Sequence, residues 1–223
     1  SIKNALKIIH NPSIEDDIIK IKQFEHPAQK RLIIEELITN LIGVKISTKK
    51  VDEMKAASIP YKKESLLTFC KSLPFSLTGA QERVIKEIQK DMNNTRPMRR
   101  LVQGDVGSGK TVVAAAAMLA CAKSNLQSVL LCPTEVLAEQ HYKNFTKWFD
   151  SENIEIELLT GKTKKKEWEK IDQNLSSGKT KILIGTHSVF QDRVSMKNLS
   201  LVVVDEQQRF GVKQRFEMLQ KSK

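Results

Sequence analysis

Between Gly104 and Thr111 the chain reads Gly-Asp-Val-Gly-Ser-Gly-Lys-Thr, so Gly104 and Gly109 enclose Asp105, Val106, Gly107 and Ser108. A triphosphate needs several donors converging on it at close range. Glycines let the backbone fold around the phosphates with its N–H groups exposed, and the N-terminus of a following helix adds partial positive charge. Lys110 is then placed to reach the β- and γ-phosphates, and the Thr111 hydroxyl to ligate Mg²⁺. A chance glycine-rich turn is the alternative, but the flanks supply the context the chemistry requires. An apolar run, Arg100 to Gln103, leads in and an Ala-rich segment, Val112 to Ala122, leads out, giving the expected order strand, loop, helix. ATP and Mg²⁺ are the implied cofactors.

A second motif lies 95 residues beyond Lys110, where the run Leu201 to Val204 ends in Asp205-Glu206. A buried strand ending in two acids puts Asp205 at the carboxyl edge of a sheet, the edge at which open α/β folds bind ligands. There Asp205 can hold Mg²⁺ opposite Thr111, and Glu206 can orient and deprotonate the water that attacks the γ-phosphate. A strand that simply ends in solvated acids is common; the upstream phosphate loop favours the catalytic alternative.

Three more loops leave predicted strands at the same edge: Cys132 to Glu135, Thr160 to Lys162, and Gly185 to Ser188. Their hydroxyls and backbone N–H groups, with Thr134, Thr160, Gly161, Thr186 and His187 as candidates, suit phosphodiester contacts that carry no sequence information. Ordinary turn chemistry is the alternative. Lys162, Lys164, Lys165 and Lys166, beside Trp168, form the densest basic cluster. Such a run is more often the wet face of a helix with a half-buried tryptophan than a nucleic-acid grip.

The elements that must position these residues follow from periodicity. Short runs rich in Val, Ile and Leu, at Val129 to Cys132, Ile154 to Leu159, Lys181 to Ile184 and Leu201 to Val204, alternate with helical segments at Thr134 to Asp150 and Thr163 to Leu175. That alternation describes a parallel sheet covered by helices on both faces, an α/β fold of the phosphate-loop NTPase type. Leu137, His141, Phe145 and Trp148 fall on one face of the first of these helices. Ahead of the phosphate loop, Val84, Ile85, Ile88 and Met92 mark another helix, with Thr78 as its N-cap and Gln81 in its first turn. Alone, Gln81 reads as a surface residue, although its amide could pair with an adenine edge.

Residues 1 to 72 read as a small helical segment without chemistry, and a boundary is expected near Leu73-Pro74-Phe75. Apolar residues from Leu32 to Ile42 recur at helical spacing, with Arg31 and Glu35 one turn apart and Gly43 as the expected stop. A shorter helix is expected from Ile14 to Phe24, and Lys45 to Ser58 as a further helix or a connection. His10 and His26, each near a proline, read as turn residues.

With 223 residues the chain can bury one good core and a smaller second one. The net charge of +11 suits a polyanionic partner such as nucleic acid, and the excess is spread along the chain. Cys70, Cys121 and Cys132 lack metal-ligand spacing and read as reduced, structural thiols. No apolar run is long enough to span a membrane and no signal peptide is visible, so a cytoplasmic protein is expected.

Together these motifs resemble superfamily 2 helicases, and several long stretches resemble the bacterial RecG family of branch-migrating DNA helicases. These are Leu73 to Thr78, Pro97 to Thr111, Pro133 to Tyr142, Gly185 to His187 and Asp205 to Val212, with Ala5 to Pro12 and Arg31 to Leu37 upstream. The resemblance implies a RecA-like first motor lobe at residues 73 to 223, preceded by the segment that joins the family's wedge domain to its motor. It implies ATP-driven movement on branched DNA, at stalled forks and junctions, in recombination and repair. Under it Gln81 becomes an adenine reader and the strand-edge loops face DNA. The family usually has His where this chain has Gln208, a position that couples the nucleotide site to the rest of the motor; glutamine can still donate and accept, so altered coupling is expected. The chain ends 12 residues after Gly211, before the family's second lobe with its arginine finger, and begins after the wedge domain. A finger contributes ~10³ to 10⁵ in turnover where it acts. The expectation is therefore a piece of a longer protein that binds ATP but hydrolyses it poorly, with an uncovered lobe surface open to self-association. A related transcription-repair or primosome-type translocase lobe, and a nucleotide-binding or interaction module without catalysis, are the alternatives.

Overall fold

The computed structural model describes residues 1–13, 16–52, 54–60, 63–190 and 194–209. Phe210, Gly211 and Val212, the end of the acidic motif, lie outside the described residues, as do the first two residues of the helix expected from Ile14. Two compact units divide the chain, Ser1–Lys55 and Ala56–Lys223.

The first unit is helical. Helix α1 (Ile2–His10) is capped by the Ser1 hydroxyl, which accepts from the Asn4 N–H, and α2 (Ile18–Lys22) is capped by Asp17. Pro27 opens α3 (Pro27–Asp52), a position where its missing N–H costs nothing. The Nδ1 of His26 accepts from the Ala28 N–H just ahead of it, a turn role as expected. α1 packs on α3, and Ala5 and Ala28 are buried. Gly43 does not stop α3. A glycine stop needs a left-handed φ at that residue, and Gly43 is not among the glycines with positive φ.

The second unit begins earlier than Leu73. Helix α4 (Lys63–Ser72) supplies Phe69, fully buried with its ring 5.3 Å from that of Phe149, so this helix packs into the core of the sheet unit. Next come α5 (Gly79–Met92), α6 (Lys110–Lys123), β1 (Gln127–Leu131), α7 (Glu135–Trp148), β2 (Ile156–Leu159), α8 (Lys165–Ser177), β3 (Ile182–Gly185) and β4 (Leu199–Val204). Thr78 caps α5 in a full capping box with Gln81.

The four strands are parallel in the order β2-β3-β1-β4. Side chains alternate across the sheet. Leu130, Cys132, Ile182, Ile184 and Leu201 meet Ile85, Met118 and Phe145 from α5, α6 and α7 on one face. Val129, Leu131 and Leu183 meet Ile171 and Leu175 of α8 on the other. This is the RecA-like α/β architecture, with helices on both faces as expected. Burial pushes the Cys121 and Cys132 thiols up to about 12, in keeping with packing residues.

The expected strand at Arg100 to Gln103 is not formed; residues 101 to 105 have no regular secondary structure. Leu101 is 65% exposed and only Val102 packs against the core, so the run offers half a buried face and no ladder partner among the described residues.

At the opposite end of the sheet, one side chain ties three connections together. Gln127 is 1% exposed; its Nε2 donates to the carbonyls of Leu175 (2.9 Å) and Thr180 (2.8 Å), and its Oε1 accepts from the Asn198 N–H (2.9 Å). Gln127→Leu removes all three bonds at once and takes its partner from the carbonyl of the buried Thr180, while the Leu175 carbonyl still accepts from the Gly178 N–H; the expected loss of stability is about 2 kcal/mol. Urea denaturation of the variant against wild type checks this.

Candidate nucleotide and nucleic-acid site

The turn from Gly104 to Gly109 is built from the glycines outward. Gly107 (φ +83°) and Gly109 (φ +79°) both take the left-handed conformation that side chains resist, and Gly109 is the N-cap of α6. A Cβ on Gly104 would lie 2.7 Å from Ser108 Oγ, and one on Gly109 would lie 2.3 Å from Gln81 Nε2. Side chains at Gly104 and Gly109 would thus crowd the loop, and Val106 is fully exposed at its tip. Lys110 Nζ donates to the carbonyls of Gly104 (2.7 Å) and Asp105 (2.8 Å), which stand in for the phosphate oxygens this ammonium would otherwise meet. The Ser108 N–H donates to the Asp105 carbonyl, closing the turn, and Thr111 follows in the first turn of α6. These residues fit a polyphosphate: the loop has the shape, the helix begins at its end, and the Lys110 ammonium lies across it on two loop carbonyls.

Gln81 sits closer to this loop than its sequence position suggests. Its Nε2 donates to the Ser108 carbonyl (3.0 Å) while its Oε1 accepts from the Thr78 N–H (2.8 Å). Both ends of the amide are therefore engaged between the cap of α5 and the phosphate loop.

Asp205 leaves β4 at the same edge, its N–H bonded to the Leu131 carbonyl of β1. Its Oδ2 lies 3.0 Å from Nε2 of His141 on α7. The Asp205 carboxyl is held below the ordinary carboxylate range, first by the hydrogen bond from His141, against the opposing effect of burial; the Glu206 N–H and the charge of Lys110 add to the lowering. Thr111 and Asp205, the expected metal residues, are brought to one edge. Glu206 has a left-handed φ of +50°, which costs a non-glycine residue about 1 kcal/mol and marks the turn that swings its side chain away from the strand line. Its carboxylate lies 2.6 Å from Arg209 Nε, close in distance but off hydrogen-bond alignment. Gln208 is exposed in the short 3₁₀ turn Gln207–Arg209.

His141 was missed as a site residue because it falls on the apolar stripe of α7 with Phe145, whose ring centroid is 6.5 Å away. The available signal was the residue type: a histidine buried on an apolar face needs a polar partner.

Thr134, Gly161 and His187 line the strand edge as exposed residues after β1, β2 and β3. The Thr134 hydroxyl caps α7 by accepting from the Leu137 N–H. Thr160 and Thr186 are each only 8% exposed. The Thr160 hydroxyl accepts from the Lys162 N–H, and its own N–H donates to the Thr163 hydroxyl, so this side chain shapes its turn from within. Gly185 explains why the loops after β2 and β3 come so close: a Cβ there would lie 2.3 Å from the Leu159 carbonyl. In the lysine cluster, Lys162 pairs with Glu135 across two loops (2.9 Å), while Lys165 and Lys166 are exposed on α8 and Trp168 packs partly buried against the sheet. That is the wet helix face.

A family model described as DEAD/DEAH box helicase matches residues 78–222. The chain is 42% identical over 223 residues to the ATP-dependent DNA helicase RecG of Pasteurella multocida (strain Pm70), covering all of this chain and 32% of that protein. It is 41% identical to the ATP-dependent DNA helicase RecG of Escherichia coli (strain K12), covering 99% of this chain and 32% of that protein. A solved structure of RecG bound to a three-way DNA junction matches with a TM-score of 0.75 and 36% identity, over 95% of this chain and 33% of that one. The chain thus spans about a third of the length of the curated relatives it matches. These alignments include the helical lead-in as well as the sheet unit, and the glycine cradle, the acidic strand end and the parallel sheet lie within the matched region. This chain belongs to the DEAD/DEAH box helicase family.

Proposed function

We propose that this chain is the ATP-binding lobe of a DNA helicase that remodels branched DNA, at stalled forks and Holliday-type junctions, in recombination and repair. The observation that carries the reading is the convergence of the glycine cradle, Lys110 and the lowered Asp205 carboxyl on one sheet edge. Similarity to RecG proteins along the whole chain supports the substrate class.

In this reading the loop N–H groups and Lys110 bind the phosphates, Lys110 leaving its two carbonyl partners to do so. Gln81 reads the adenine by exchanging its bonds to Ser108 and Thr78 for the base edge. Thr111 and Asp205 hold Mg²⁺, which when bound offsets phosphate charge. Glu206 orients and deprotonates the attacking water, and Gln208 links the site to the rest of the motor. Thr134, Gly161 and His187, with the turns that Thr160 and Thr186 shape, contact the DNA backbone. Residues 1 to 72 connect this lobe to the domain that meets the branch, α4 being shared with the sheet unit. A second lobe supplies an arginine finger, and the surface it covers is open to a second copy of this chain.

Steady-state ATP hydrolysis with and without branched DNA tests the reading, with Lys110→Ala as control. The expected result is ATP binding by the wild-type chain, lost in Lys110→Ala, with turnover near the control level until a second lobe is restored. DNA-stimulated turnover by this chain alone would mean that the lobe completes its own site. Absence of ATP binding would point to an interaction module instead.

The Asp205 assignment has a separate signature. Its folded-state pKa lies below the ordinary 3.8, so the ionised carboxylate stabilises the fold above that value, and the contribution is lost as pH falls through the lowered pKa. The stability difference between wild type and Asp205→Ala is measured by urea denaturation at falling pH. It should then shift against wild type below the ordinary carboxylate range.

A further inference from the structure

At the edge of the sheet lies a buried histidine that the proposed chemistry does not use. His141 is 9% exposed, sits on α7 behind the strand ends, and directs Nε2 to Asp205 Oδ2 at 3.0 Å. Its other nitrogen, Nδ1, is buried without a hydrogen-bond partner among the described residues. A buried lone pair left unpaired is tolerated better than a buried N–H left unpaired, so the arrangement places the proton on Nε2, donated to Asp205.

A carboxylate at a strand end can rotate about its last side-chain torsion, a broad and soft one. Tying Oδ2 to a rigid helix fixes that rotation and so fixes which face of the carboxylate meets the cradle. The imidazole is itself held: Phe145 packs edge-on to it one turn along, and α7 is anchored in the core through Ala138, Phe145 and Trp148. The aspartate backbone is pinned independently through its N–H to Leu131. The two anchors act on different parts of the residue: the Leu131 bond holds its backbone, and the His141 bond holds Oδ2, with the Glu206 N–H also contributing at the carboxylate.

We propose that His141 is a positioning residue for Asp205, holding its carboxylate in the orientation that receives the divalent cation beside Lys110 and Thr111. This rests on the reading of Asp205 as the metal-facing carboxylate. Hydrogen-bond partners behind metal ligands typically contribute about 10- to 100-fold in metal affinity. The effect of losing His141 should therefore fall on the cation and not on the nucleotide.

The test is a Mg²⁺ titration of fluorescent ATP-analogue binding, with a parallel analogue titration in EDTA, on wild type, His141→Leu, His141→Asn and His141→Gln. The glutamine amide reaches the position of Nε2; the asparagine amide reaches only that of Nδ1. Expected is a rise of about 10-fold in the Mg²⁺ concentration for half-maximal effect in the leucine and asparagine variants, return to within about threefold of wild type in the glutamine variant, and unchanged affinity in EDTA. Equal Mg²⁺ dependence in asparagine and glutamine variants, or an equal loss of binding with and without Mg²⁺, would overturn the proposal and leave His141 as a packing residue. The asparagine and glutamine pair decides the matter even if the leucine variant does not fold. A wild-type chain that binds the analogue without any Mg²⁺ dependence overturns the metal role of Asp205 itself, and one that binds no analogue overturns the nucleotide site; either is distinguishable from failure at His141.

Discussion

Parallel strands cannot be joined by tight turns: each must be followed by a crossover that returns the chain to the starting edge of the sheet. In this protein that constraint delivers every candidate residue after a strand to one edge. The segments after β1, β2, β3 and β4 carry Thr134, Gly161, His187 and Asp205 in turn, and the register Leu131↔Gly185 and Leu131↔Val204 brings three of those strand ends level. The cradle before α6 is set by the same sheet, because α6 packs on the face of β1 and β4.

The register in turn depends on close approaches at both ends of the sheet. At the functional edge Gly185 lets β3 meet the end of β2 with no side chain between them. At the far edge Gln127 ties the end of α8, the lead-in to β3 and the lead-in to β4 through one buried amide. One position succeeds by having no side chain and the other by having every polar atom paired. Both keep backbone segments at fixed separation.

Helix α7 has a place in both halves of the candidate site. Its first turn begins at the strand edge, where Thr134 caps it and Glu135 pairs with Lys162 of the neighbouring loop. Two turns further on, the same helix presents His141 to Asp205. A core-anchored helix with one end among the strand-edge loops proposed to face DNA and its middle against Asp205 is a short physical path between those loops and the strand-end acid. The Lys110 ammonium, held for now by carbonyls of its own loop, and Glu206, drawn toward Arg209, are the side chains with the most to rearrange when phosphates enter.

The sequence by itself determined the cradle, the acid pair and the alternation of strands and helices, because each rests on local rules: glycine where φ must be positive, a cap where a helix begins, apolar runs at strand spacing. Thr78, Gly107, Gly109 and the four strands were legible for that reason. Only tertiary structure decided where those elements found partners. The run before Gly104 has strand composition but no neighbour to pair with among the described residues, so it forms no strand. Gly43 lies in a helix because nothing forces a left-handed turn there, and α4 joins the sheet unit because Phe69 finds Phe149, 80 positions away. His141 looked like one more residue on an apolar stripe; 64 positions separate it from the carboxylate that gives it a role, and no periodicity carries information across that distance.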